Sequence, residues 1–353
     1  MLDFQNFSQM SGVVEYPPNC LPILTSCGNS ELVKRLKILS EALQVSDTND
    51  ECHRHDRYRT LICHLANPHF LENKSKEVQI WLACCLADIL RIFAPNVPFG
   101  EASQLKDVLI FIVQSLKGLD SPSNPLFRRY FYLVENLSVV STLVLALELP
   151  HDEANEVIRA LLKISMEIAN SKEWRNDNRE AYDNGDVADE GEERSEVRDK
   201  VIGFLIGIIT KLLREVDQVS VDVLDVLFFY LINPQKLNNR ESYNMSRQII
   251  QVSQTSLEAA IQSLLTQSLL AGSLPLECEL VGSSLKKLYD VILELHGVAT
   301  ELVSPILPHI SSSLRVEDDQ QRLLATKLVG KLVSNGKSRL CDDHPNLWKL
   351  YMD

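Results

Sequence analysis

Five residues near the amino terminus carry the atoms that bind zinc: Cys52, His53, His55, Cys63 and His64. A structural zinc site needs four such ligands converging on a tetrahedron from elements that can face one another. Here Cys52 is adjacent to His53 and Cys63 to His64, and neighbouring side chains on one helix point about 100° apart. The spacing argues for exposed histidines and one buried thiol. Two His-Asp dipeptides, His55-Asp56 and His151-Asp152, have the form used by metal phosphohydrolases, which add further His and Asp ligands. Each falls at or near the start of an expected helix, where a carboxylate complements the helix dipole without any chemistry.

Phosphate chemistry has no better support. Gly336, Lys337 and Ser338 spell the end of a P-loop, but the first glycine of that motif would stand at position 331, which is Lys331. Without it the loop cannot wrap its amides around a phosphate. Neither a GxSxG nucleophile elbow nor a GxGxxG dinucleotide turn occurs. The residues therefore assign no catalytic group, no cofactor site and no metal site.

Two basic clusters bear on anionic ligands. The run Phe127, Arg128, Arg129, Tyr130, Phe131, Tyr132 mixes cations with aromatic rings, as single-strand nucleic-acid surfaces do. At helical spacing Phe127, Tyr130 and Phe131 read as core instead, with the arginines solvated or paired to Glu135. Lys34, Arg35 and Lys37, with Arg54, Arg57 and Arg59, would give a basic face that is most simply a solvated helix surface. The net charge of −13 argues against general affinity for phosphate backbones. Much of that charge is local: Glu173 to Asp199 holds eleven acidic residues against four arginines.

The elements around these residues read as helices throughout. Glycine is scarce, at 13 of 353 residues, and no apolar run alternates with period two over a strand length. Apolar residues recur at three-and-four spacing over about 30–44, 51–66, 101–117, 125–147, 152–170, 195–212, 220–231, 239–270, 277–295, 299–314 and 318–333, with a break expected near 253–256. The organising stretch is Ser75 to Phe99. Its apolar set, from Val78 through Trp81, Leu86 and Leu90 to Phe93, is too broad for a one-sided surface helix and fits packing between neighbours. Ala83, Cys84, Cys85 and Ala87 let those neighbours approach. Pro95 forces the preceding residue out of the α region, so the helix ends near Ala94, and Pro95 and Pro98 stiffen an exposed corner. A rigid apolar corner is a candidate docking site.

The expected organisation is an extended arm over 1–29, helical repeats over 30–170, a disordered acidic insert over 171–194, and further repeats over 195–353. The insert has too few apolar residues to offset the entropy of ordering. Gly203 and Gly207 are expected to let helices pack closely. Eight cysteines without framework spacing read as free thiols in a reducing compartment. The start MLDFQNFSQM has no apolar signal core, and the longest uncharged run, 259–276, is too polar for a membrane span. A soluble intracellular protein is expected. Helix pairs of roughly 40 residues joined by short turns are the mark of an all-α HEAT-repeat α-solenoid, a right-handed superhelical array of helix pairs.

The wording of two stretches is specific. VQIWLACCLADILRIFAPNVPF, followed by LKDVLIFIVQSLKGLDSPSNPLFRRYFYLVENLSVV, resembles the N-terminal HEAT-repeat region of the cohesin regulator Pds-five family, whose name stands for precocious dissociation of sisters. Weaker likeness runs on through VILELHGV, SPILPHISSSLRVEDDQQRLLATKLVGKL and PNLWKLY. The resemblance implies a nuclear, chromatin-associated, non-enzymatic scaffold that regulates sister chromatid cohesion. Its implied partners are the cohesin kleisin subunit, the Wapl-type release factor with its antagonist sororin, and Eco-type acetyltransferases. It also implies peptide docking at an Ala-Pro-Asp-Ala-Pro motif, which falls here on Ala94, Pro95, Asn96, Val97 and Pro98, with Phe99 following. Asn96 replaces the acid of that motif and Val97 its small alanine, which removes a charge-assisted contact to a basic peptide residue. An inositol polyphosphate is implied as a family ligand, with no residues assigned to it. The family's proteins are far longer than 353 residues. A generic HEAT scaffold for nuclear transport or phosphatase assembly is the alternative reading.

Overall fold

The computed structural model describes residues 14–45, 58–175, 188–334 and 340–352, and among them every regular element is a helix. The chain divides into two compact units, 1–215 and 216–353.

In the first unit, residues 14–28, the described part of the arm expected over 1–29, run without helix ahead of α1 (Asn29–Val45), and residues 1–13 lie outside the described residues. One bond closes that arm on itself and two tie it down. The Tyr16 hydroxyl accepts from the Ile23 amide at 2.9 Å, the Pro22 carbonyl accepts from Arg35, and His64 Nε2 lies 2.6 Å from the Ile23 carbonyl, so that nitrogen carries the proton. After the short helix α2 (Arg59–Leu65) comes α3 (Lys76–Phe93). Ser75 caps it by accepting from the Val78 amide at 3.5 Å, and fourteen of its eighteen residues are buried. A helix buried on so many faces must be enclosed, and α3 packs on α1, on α4 (Ala102–Ser115) and on α5 (Phe127–Val140). Cys84 and Cys85 sit fully buried in that packing, where burial pushes both thiols far up. Next are α6 (His151–Ala169), which packs on α4, and α7 (Ala188–Glu215), which packs on α5 and α6.

The second unit holds α8 (Val221–Leu231), α9 (Arg240–Val252), α10 (Gln254–Ala271), α11 (Leu285–Val298), α12 (Asp319–Ser334) and α13 (Pro345–Met352). The break expected near 253–256 falls at Ser253, between α9 and α10.

Several expectations are corrected. The acidic insert over 171–194 is helical at both described ends. Lys172–Arg175 forms a helical turn, pinned by Trp174, whose indole donates to the Leu119 carbonyl at 3.0 Å, and α7 already begins at Ala188. Residues 176–187 lie outside the described residues. Nor does the insert divide the chain: α7 belongs to the first unit, because Val201, Leu205, Ile209 and Leu212 bury their side chains there, and the boundary follows Glu215. Gly203 and Gly207 are both exposed; a methyl at Gly203 would meet nothing within 4 Å, so it brings no helix close, whereas one at Gly207 would reach Ser138 Oγ of α5 at 4.0 Å.

The helix expected over 125–147 is split by Ser141, whose left-handed φ of 60° ends α5 before a 3-10 segment, Thr142–Glu148. Lys211 of α7 donates to the Ser141 hydroxyl at 2.7 Å and holds that break. The helix expected from 277 starts only at Leu285. Residues 272–284 form a loop instead, because buried Asp225 of α8 accepts the Leu280 and Val281 amides at 2.8 and 2.9 Å, and Gly282 takes a φ of 80°. The segment 299–314 is likewise broken into Thr300–Val303, a 3-10 turn over Ser304–His309, and Ile310–Ser313.

Candidate functional site

The corner after α3 is built by its last turn. The Ala94 amide still donates to Leu90 at 2.9 Å, and the Asn96 amide donates to the Phe93 carbonyl at 2.8 Å, closing a turn that Pro95 prevents from continuing as helix. Phe93 is fully buried below it. Ala94, Pro95 and Asn96 are exposed and Val97 is half-buried, whereas Pro98 and Phe99 are buried. Of the six residues expected to present a docking surface, the first four reach solvent; Pro98 and Phe99 instead fasten the corner to the interior.

Beneath the corner lies a polar network that composition alone did not reveal. Asp88 of α3 is fully buried. Its Oδ1 accepts from the Tyr132 hydroxyl at 2.7 Å and from Asn136 Nδ2 at 2.8 Å, both on α5, and Arg91 Nε lies 3.8 Å away. Arg91 in turn donates to the Leu43 carbonyl of α1 at 3.0 Å. The network thus joins three helices around the base of the corner. Asp88 Oδ2 and Asn136 Oδ1 have no donor and no solvent access among the described residues. Burial pushes the Asp88 carboxyl up to about 6, against the lowering effects of Tyr132, Arg91, Asn136 and Arg129. The sequence signal was an acid inside an apolar helix, facing a polar side chain at each of two positions four apart on the next helix.

Beside the network, Trp81 is almost fully buried under two cations. The Arg129 guanidinium lies 4.1 Å from its ring centroid and Lys37 Nζ 5.4 Å from it, with Lys37 also 3.2 Å from Glu77. Arg129 therefore covers a core indole, which differs from the expected solvated or Glu135-paired arginine. Tyr130 is core, as expected. Its ring lies against Gly118, where any Cβ would collide with it, which explains the glycine of the LKGL turn. Phe127 and Phe131 form an aromatic chain with Trp174 and Phe204 rather than a base-stacking platform. Of the expected basic face, Arg35 pairs with Glu31 at 2.7 Å and Lys37 with Glu77, and Arg54 and Arg57 lie outside the described residues.

A cleft of about 470 Å³ opens between α3, α4 and the segment after α6. Lys76, Lys117 and Lys172 line it, but so do Asp120 and Glu173, and Lys117 is held by Glu167 at 2.9 Å. Its charge is nearly balanced, and Glu173 is already satisfied by the Ser121 and Ser123 hydroxyls, both at 2.7 Å.

Of the five residues with zinc-binding atoms, Cys63 and His64 are described. Cys63 is exposed, His64 Nε2 is engaged by the Ile23 carbonyl, and Cys52, His53 and His55 lie outside the described residues. Among the described residues no three His, Cys, Asp or Glu side chains converge as metal ligands. His151 and Asp152 stand 3.5 Å apart at the start of α6, as a helix-terminal pair. Gly336, Lys337 and Ser338 lie outside the described residues, and among those described no single helix is long and apolar enough to cross a membrane.

Successive packed helices, with a rigid corner between two of them, define a helical-repeat fold of HEAT type. The family model for the sister chromatid cohesion protein PDS5 matches residues 30–353, and the chain belongs to that family. It is 28% identical over 341 residues to the sister chromatid cohesion protein PDS5 homolog B-A of Xenopus laevis, covering 97% of this chain and 21% of that protein. The same identity and the same 97% of this chain relate it to PDS5 homolog A of Homo sapiens, of which it covers 23%. The chain thus spans between a fifth and a quarter of these relatives' length. A solved structure of the Pds5-Scc1 complex matches with a TM-score of 0.67 and 22% identity, over 97% of this chain and 49% of that one, which shows the shared fold.

Proposed function

We propose that this protein is a non-enzymatic scaffold associated with cohesin, acting in the nucleus on sister chromatid cohesion by holding other proteins in place. The single observation that carries this reading is the family match over residues 30–353, nearly the whole chain. The solved relative's partner, Scc1, supports the cohesin kleisin as a partner of this chain as well. Contact with chromatin then runs through cohesin, in keeping with a net charge of −13 that does not favour direct binding to DNA. A transport or phosphatase scaffold has no comparable observation behind it.

Ala94, Pro95, Asn96 and Val97 form the docking corner for short peptides of a Wapl-type release factor or an Eco-type acetyltransferase, with Pro98 and Phe99 as its buried footing. Exposure of the first three residues and the rigid turn beneath them support this. A preformed turn binds without first losing its own conformational freedom. Asn96 offers an amide where a carboxylate would attract a basic peptide residue, so docking here is weaker than an acid would make it. An inositol polyphosphate remains a proposed ligand of no assigned residues.

Pull-down of the whole chain with a Wapl-type peptide tests the corner. Pro95→Ala is expected to weaken capture and Asn96→Asp to strengthen it about tenfold, the equivalent of one charge-assisted bond of ~1.4 kcal/mol. Equal capture by both variants would remove the corner from the mechanism, and failure to co-purify with a kleisin subunit would remove the cohesin assignment.

A further inference from the structure

The groove between α11 and α12 lies in the second unit, apart from the corner and its network. It encloses about 260 Å³. On α11 its wall is Lys286, Asp290 and Leu293, spaced four and then three residues apart so that they share one helix face. On α12 the facing wall is Leu324, Lys327, Leu328 and Lys331, again one face. The three leucines make the floor: Leu293 and Leu324 are half-exposed to it and Leu328 is buried. Leu323, just before this stripe, is 53% exposed.

All three lysines are exposed, and none makes an ion pair among the described residues. The one acid, Asp290, is half-buried between Lys331 and Lys286 and offsets part of their charge. In a chain of net charge −13 this is a local reversal of sign, placed around an apolar floor with room for one or two aliphatic side chains. Exposed ammonium groups on both rims and leucines below are complementary to carboxylates flanking an apolar anchor, the pattern of an acidic amphipathic helix laid in a groove. A nucleic-acid backbone fits less well: it has no use for the leucine floor, and three lysines neutralise few phosphates.

We infer that the α11–α12 groove is a docking site for an acidic amphipathic peptide of a partner protein, its Asp or Glu residues pairing with Lys286, Lys327 and Lys331 while a Leu-like anchor enters between Leu293 and Leu324. The test is fluorescence polarisation of the full chain with a fluorescein-labelled helical peptide of Glu, Ala and Leu, in which the leucines form one stripe flanked by glutamates. The charge reversal Lys327→Glu with Lys331→Glu is expected to weaken binding at least about tenfold, a loss of ~1.4 kcal/mol or more. A matched peptide with serine in place of leucine is expected to lose binding. Both lysines are exposed, and the pair Lys327→Gln with Lys331→Gln provides a milder variant if the reversal perturbs folding. The inference is overturned if the Glu/Leu peptide does not bind, if neither lysine variant weakens it, if the serine peptide binds equally well, or if duplex DNA displaces the peptide as effectively as unlabelled peptide does.

Discussion

Among the described residues each unit contains one fully buried aspartate, and the two are served in opposite ways. Asp225 accepts two backbone amides of the 272–284 loop, Leu280 at 2.8 Å and Val281 at 2.9 Å. Asp88 accepts two side chains of a neighbouring helix through one oxygen, while its other oxygen has no donor among the described residues. Backbone donors exist at every non-proline residue, so Asp225 can fix a loop whatever its side chains are. Side-chain donors must be supplied by particular residues, here Tyr132 and Asn136, and they position one helix against another. A buried acid inside a helix can therefore shape a loop or register a helix pair, and only its donors distinguish the two roles.

The comparison is broken most sharply by Asp225→Ala. Two amides would lose charge-assisted partners, costing the second unit on the order of 3–5 kcal/mol. Hydrogen exchange is expected to speed up over residues 272–284, and Cys278 to become open to alkylation. That thiol is now buried and pushed up to about 12, first by burial and then by the Asp225 charge. Unchanged exchange in the loop would refute the clamp.

Asp88 is tested by pH. Its carboxyl is raised from the ordinary 3.8 to about 6, so the folded state binds this proton more tightly than the unfolded state does. Its contribution is fully present below about pH 4 and is lost as pH rises through about 6, a change on the order of 3 kcal/mol across that window. Denaturant unfolding of the protein and of Asp88→Asn, compared from pH 4 to 7, should show the variant gaining on the parent as pH rises. A constant difference would remove the linkage. Tyr132→Phe deletes the shortest donor and is expected to cost about 1–2 kcal/mol at pH 7, with the pH window moving upward. The smallest effect is expected at Arg129→Ala. Loss of the cation over Trp81 costs about 1 kcal/mol, read as a small loss of melting temperature with the Asp88 window again displaced upward. Gly118→Ala is a control outside both aspartates, and its collision with Tyr130 should cost about 1–3 kcal/mol with no change in pH dependence.

The amino-acid sequence by itself determined the helices whose signals are local. Ser75 opening α3, Ala94-Pro95 closing it, Ser253 separating α9 from α10 and the broad apolar set of α3 are all readable because capping, proline geometry and periodicity act within a few residues. The corner was legible for the same reason, and the family resemblance rested on wording in the same stretch. Only the tertiary structure decided which corner residues face solvent, since Pro98 and Phe99 are apolar like Val97 and differ from it in what lies over them. It likewise decided that Arg129 covers Trp81, that 272–284 is a loop, and that α7 completes the first unit. Each of those outcomes depends on a partner tens of residues away in the chain, and a contact at that range leaves no periodic trace in the segment that makes it.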